Sequence, residues 1–207
     1  MNAKVKLSAA IKASFPVRRM DFKFTDVPRY WMDGDVGLTL FLTSMSVLFP
    51  EGEQFFVDSV RAVRYHESLK DDLFMQKEMS AFIGQEAMHS KEHEAFNAYM
   101  THFGYDAEWM EKATRKVIDL KRFLAVVAPN QAKLDLSATC ALEHFTATIA
   151  AQLLRRTDMQ DLMKDPTMLK MWQWHAVEEN EHKAVAYDVY ERIYGKDVAT
   201  YALRAFG

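Results

Sequence analysis

The stretch that decides the fold is Trp172–Tyr190, WQWHAVEENEHKAVAYDVY. It contains neither Gly nor Pro and is rich in strong helix formers, so it predicts one long helix. Inside it, Glu179 and His182 form a Glu-x-x-His pair. At about 3.6 residues per turn, positions three apart project from the same face. His175 stands one turn earlier on that face, and Val185, Ala186 and Val189 continue it in apolar residues, which turns it inward. A Glu and a His buried together need each other or a metal ion, because a bare buried charge is costly.

One such pair arises often by chance on a solvated helix face. This chain repeats it as Glu86-Ala87-Met88-His89, on another predicted helix. A single Glu precedes each copy: Glu53 lies 33 residues before Glu86, and Glu143 lies 36 before Glu179. Two helical hairpins of similar size, joined by a crossover, would bring all four stretches round one centre. Dinuclear ferritin-like bundles carry this set, a Glu from each of two helices and Glu-x-x-His from each of the other two.

The remaining elements follow in chain order. Residues 1–35, with Pro16, Pro28 and Gly34, predict an irregular lead-in capping one end of the domain. Val36–Phe49 predicts an apolar helix, and Pro50 marks a boundary that opens a second helix over 51–68. Further helices are expected over 71–99, 106–127 (the crossover) and 131–157, with a polar connection at 158–165. Pro166 opens the helix that Gly195 ends. No strand-period alternation is present. The expected fold is therefore all-α, a ferritin-like four-helix bundle with extra N-terminal and crossover helices, forming a single domain over 36–207.

Composition narrows the function. The formal net charge of −3 and the absence of a dense Lys/Arg run give no footprint for nucleic acid. Cys140 is the only cysteine, so an intrachain disulfide is impossible; a packing role and a reducing compartment, the cytoplasm, are expected. The N-terminus has no sustained apolar run of the signal-peptide kind. The 14 residues of Val36–Phe49 fall short of the roughly 20 that span a bilayer. The chain stops at TYALRAFG inside a helix-like pattern, so it is expected to be a shortened form of a longer protein.

The expected metal ligands are Glu53, Glu86, His89, Glu143, Glu179 and His182. Two divalent cations would balance the four carboxylates, which otherwise repel and take up protons. Mixed carboxylate and imidazole ligation suits iron or manganese, with zinc allowed and no thiolate to select it. Glu53 beside Glu51 also fits a surface charge at a helix start, whereas Glu143 lies among apolar and small residues, a setting for a functional carboxylate. His93 and His175 share the ligand faces and are candidates for acid/base, ligand or orienting roles, orientation being the commonest. Asp188 is a further candidate for orienting a ligand. His144 points about 100° away from Glu143, and His66 and His102 sit at helix ends, where exposure is expected.

Four blocks, FPEGEQFF (49–56), FIGQEAMHSKEHEAFN (82–97), ALEHFTA (141–147) and WQWHAVEENEHKAVAYDVY (172–190), resemble a bacterial family described as predicted metal-dependent hydrolase, within the ferritin-like superfamily. The resemblance runs from about residue 15 onward and implies a metal-binding role for the six residues above. Family members extend further at the C-terminus. A four-carboxylate site that stabilises oxidised iron favours an oxygen-dependent di-iron oxidation of a small or chain-like substrate, drawing on an electron donor. Phe55, Phe56, Phe82, Phe145, Trp172 and Trp174 are candidate lining for the apolar pocket. The alternatives are metal-dependent hydrolysis, with His93 or His175 as general base, and non-catalytic metal binding or storage. An exposed face on the 36–49 or 106–127 helix would serve a homodimer.

Overall fold

The computed structural model describes residues 12–125 and 130–195. The TYALRAFG ending and the last residues of the predicted crossover lie outside them. The described residues are all-α: α1 Val36–Val63, α2 Leu73–Met100, α3 Ala107–Ala125, α4 Gln131–Arg155, α5 Thr157–Asp161, α6 Pro166–His182 and α7 Val185–Tyr194. Side-chain caps set the starts. Asp35 accepts from the backbone N–H of Leu38, Asp72 from Met75, Asn130 from Lys133, and Asp165 from Thr167 and Met168.

Pro50 does not end a helix; it lies inside α1, so the two helices expected over 36–68 are one. A proline cannot donate to the carbonyl four residues back, here that of Ser46. Asn97 on α2 supplies the missing donor, its Nδ2 reaching the Ser46 oxygen at 3.1 Å. Conversely, the helix expected to run unbroken to Gly195 ends at His182 and restarts at Val185. Past the break, Val185, Ala186, Val189 and Tyr190 pack into the core, and Asp188, the expected orienting residue, is exposed. The expected polar connection at 158–165 contains the short helix α5.

Two apolar clusters share the bundle. One gathers Phe55, Phe56, Val60, Met79, Phe82, Leu136 and Val189; the other gathers Trp31, Leu42, Phe96, Met168, Met171 and Trp172. Along α1, along α2 and along α6 continued into α7, the candidate ligands fall between residues of one cluster and residues of the other. A buried polar belt thus separates two hydrophobic cores.

The segment before α1 lies along α2 as an extended strap. Glu78 accepts from Ser14 N and Oγ, Gln85 donates to Pro16 O, Glu92 accepts from the backbone N–H groups of Asp21 and Phe22, and Tyr99 donates to Val27 O. These four α2 residues recur every seven positions, two turns apart, and so form one stripe. Gly84 permits the approach, since a Cβ there would stand 2.8 Å from Val17 Cγ2.

Candidate metal centre

The belt brings the predicted residues together from four helices. α1 contributes Glu53, α2 contributes Glu86 and His89, α4 contributes Glu143, and α6 contributes His175, Glu179 and His182. None is more than 3 % exposed. Three sets of donor atoms lie within 4.8 Å of one another: Glu53 with His89 and His175, Glu86 with His89 and Glu179, and Glu86 with Glu143 and His182. Glu86 and His89 each belong to two sets, so the three form one continuous cluster. The surface-charge alternative for Glu53 fails, because its Oε2 accepts from Ser90 Oγ at 2.8 Å in the interior. Glu51, two residues earlier, pairs with Arg115 instead.

Each histidine is anchored through one ring nitrogen and turns the other toward the carboxylates. His89 Nε2 donates to Glu178 Oε2 at 3.1 Å, which leaves the lone pair of neutral His89 on Nδ1, 3.8 Å from Glu86 and 3.7 Å from Glu179. Gln85 spends its amide N–H groups on Pro16 O and Glu181, so its Oε1 accepts from His182 Nδ1 at 2.9 Å. His182 Nε2 then faces Glu86 at 3.1 Å and Glu143 at 3.5 Å. Ser46 donates to Asn97 Oδ1 and therefore accepts from His93 Nδ1 at 2.8 Å. His93 Nε2 accepts in turn from His175 Nδ1 at 2.6 Å. In neutral His175 the remaining nitrogen, Nε2, carries the lone pair and faces Glu179 Oε1 at 3.0 Å. Aromatic rings wedge all three: Phe49 sits 4.7 Å from His175, Trp174 4.9 Å from His89 and Phe82 5.0 Å from His182.

Burial pushes the Glu53, Glu86 and Glu143 carboxyls well above the usual range, and repulsion from neighbouring carboxylates adds to it. Burial would raise Glu179 too, but the imidazoles of His175 and His182 beside it hold it well below. Burial and the neighbouring His175 keep His89 and His93 well below the ordinary imidazole range. His182 is raised, because Glu143 and Glu179 outweigh its burial. Among the described residues, eight of the buried side-chain atoms without a hydrogen-bond partner are Glu53 Oε1, both oxygens of Glu86 and of Glu143, Glu179 Oε2, His89 Nδ1 and His182 Nε2, while Gln131 Oε1 and the indole N–H groups of Trp172 and Trp174 lie outside that cluster. The eight fall on the six residues whose spacing pointed to metal, so the donor set fits divalent cations.

Sequence reasoning missed Arg18, Ser46, Gln85, Asn97 and Glu178. Arg18 reaches Glu178 at 3.0 Å and grips both oxygens of Glu181 at 2.6 and 2.7 Å, so the strap supports His89 through Glu178. The positions of Gln85 and Glu178, immediately before Glu86 and Glu179, were the available signal. His66, His102 and His144 are exposed, as expected.

An apolar cavity of about 230 Å³ ends on His175 and Glu179, walled by Leu42, Met45, Phe49, Leu153 and Trp172. Of the expected lining, Phe55, Phe56 and Phe145 belong to a neighbouring groove. Phe82 and Trp174 pack against His182 and His89 instead.

No curated protein and no solved structure matches the chain. Over residues 16–207 it matches the model of the family described as predicted metal-dependent hydrolase, and it belongs to that family.

Proposed function

We propose that this protein is a dinuclear metal-dependent hydrolase acting on an organic substrate that enters through the apolar cavity. The eight unpartnered donor atoms carry this reading, because buried polar atoms without partners are rare and costly unless an ion satisfies them. Glu53 and His89 would hold one ion and Glu143 and His182 the other, with Glu86 and Glu179 between them. This is the donor pattern of ferritin-like sites. Two bound divalent ions supply Lewis acidity and bring a water's pKa down to about 7.

His175 has the geometry of a general base. It lies at the cavity floor, and its Nδ1 is tied to His93, which is itself oriented by Ser46. A proton taken at His175 Nε2 is stabilised by Glu179 at 3.0 Å and Glu53 at 3.8 Å, then returned to the leaving group. The apolar cavity wall and the carboxylate-rich donor set favour a second reading, oxygen-dependent oxidation at iron with an external electron donor. Hydrolysis has the family's description behind it.

Elemental analysis of protein purified without chelator, beside Glu86→Ala and Glu179→Ala, separates the cases when paired with an anaerobic assay on a series of p-nitrophenyl esters. Two zinc or manganese ions per chain and turnover without oxygen are expected. Two irons per chain and oxygen consumption would move the assignment to oxidation. A metal-free wild type would overturn both.

A further inference from the structure

The cavity above the metal centre does not stand alone. A second, larger groove of about 530 Å³ lies between α1, α3 and α4, and no charged side chain lines it among the described residues. The two share Phe41, Met45, Phe49 and Thr146 as a common wall. The outer groove opens among Leu48, Val117, Leu142 and Phe145, all exposed although apolar. Scattered exposed hydrophobes need no explanation, but a contiguous set around a groove marks a binding site.

The geometry points to an unbranched hydrocarbon chain as the ligand, lying in the outer groove and crossing the shared wall so that its reacting end reaches His175 and Glu179. Three features select a chain. The outer groove has no charged lining among the described residues, and its two hydroxyls, on Thr114 and Thr146, are spent on the Met110 and Glu143 carbonyls, so burying a charged group there would be penalised. The two spaces meet at four side chains, three of them bulky, which favours a ligand one methylene wide over a ring system. One of the four is Met45, a flexible side chain suited to adjusting around such a ligand. The substrate class is therefore an amphiphile whose reacting group sits beside the metal centre. Only the position of that reacting end rests on the function proposed above.

The test uses cis-parinaric acid, a fluorescent unbranched fatty acid, on the full chain with its metal content measured in the same samples. Straight-chain alcohols from butanol to decanol then compete for the probe. Each added methylene should tighten competition about fourfold, the value expected for full burial, and adamantanol should compete poorly. Leu142→Glu in the outer groove and Met45→Trp at the shared wall should each weaken probe binding at least tenfold. Tyr65→Glu, at an exposed site away from the groove, should leave it unchanged. Affinity that stops rising at butanol, equal competition by adamantanol, or full binding in both groove variants would overturn the chain. Probe binding with the predicted length dependence in a protein that holds no metal would remove the proposed function and leave the chain site standing. Two metal ions per chain without length dependence would do the reverse.

Discussion

His89 is gripped on both edges by consecutive residues of α6: Glu178 accepts from its Nε2 at 3.1 Å, and Glu179 faces its Nδ1 at 3.7 Å. Successive helical positions point about 100° apart, so one element reaches both sides of a single imidazole. Glu178 thereby fixes which nitrogen of His89 turns to the centre. Removing such an orienting partner typically costs 10–100-fold in metal affinity. Glu178→Leu is expected to lower the affinity of the more weakly held ion by about that factor, and Glu178→Gln, which keeps an acceptor, by less. Calorimetric metal titration checks it; equal affinities in wild type and Glu178→Leu would remove Glu178 from the site.

The raised carboxyls give the metal-free protein a signed pH dependence. Glu143 has a folded pKa above its unfolded value, so the folded state binds the extra proton and stability falls as pH rises from the unfolded pKa toward the folded one. Glu143→Gln removes that contribution. Without metal, the variant and wild type should melt alike near pH 4, and the variant should melt increasingly higher as pH rises to 8. Added metal should stabilise the wild type and help the variant less. A difference in Tm that is constant with pH would show that Glu143 does not titrate in the fold.

His175 can be told apart from a ligand. As a general base it contributes about 10²–10⁴-fold to turnover. His175→Gln should therefore cut kcat by about that factor while leaving two ions per chain. Loss of an ion in the variant would make His175 a third imidazole ligand, as its grouping with Glu53 and His89 also allows.

Asn97 replaces the hydrogen bond that Pro50 forfeits. Asn97→Leu leaves the Ser46 carbonyl buried and unpaired, at a cost of about 1–3 kcal/mol. Pro50→Ala restores a backbone donor four residues on, so the Asn97 substitution should cost less in that background. Denaturant melts of the four proteins measure the coupling; simple additivity would show that the two sites are independent.

How much of this was legible follows from the range of each signal. Glu86/His89 and Glu179/His182 declared themselves because helical spacing is local, and the single glutamates 33 and 36 residues earlier completed the pattern. Pro50 misled, because its compensation comes from Asn97, a residue 47 positions away. The break after His182 was invisible because nothing in HKAV forbids a helix; tertiary packing of Val185 and Val189 overrides local propensity there. Arg18 and Glu178 are 160 residues apart, and only the folded chain joins them. The 78, 85, 92, 99 stripe has a regular spacing, but a polar stripe alone does not tell solvent from a strap.

That strap also imposes an order of assembly. Arg18 is synthesised early, yet its partners Glu178 and Glu181 follow 160 and 163 residues later. During synthesis, which adds roughly 5–20 residues per second, the α2 stripe can seat Ser14 and Pro16 well before α6 exists. His89, however, waits unsupported until Glu178 arrives. A nascent chain therefore holds only part of the candidate donor set for several seconds at least, and the cluster closes only when α6 docks.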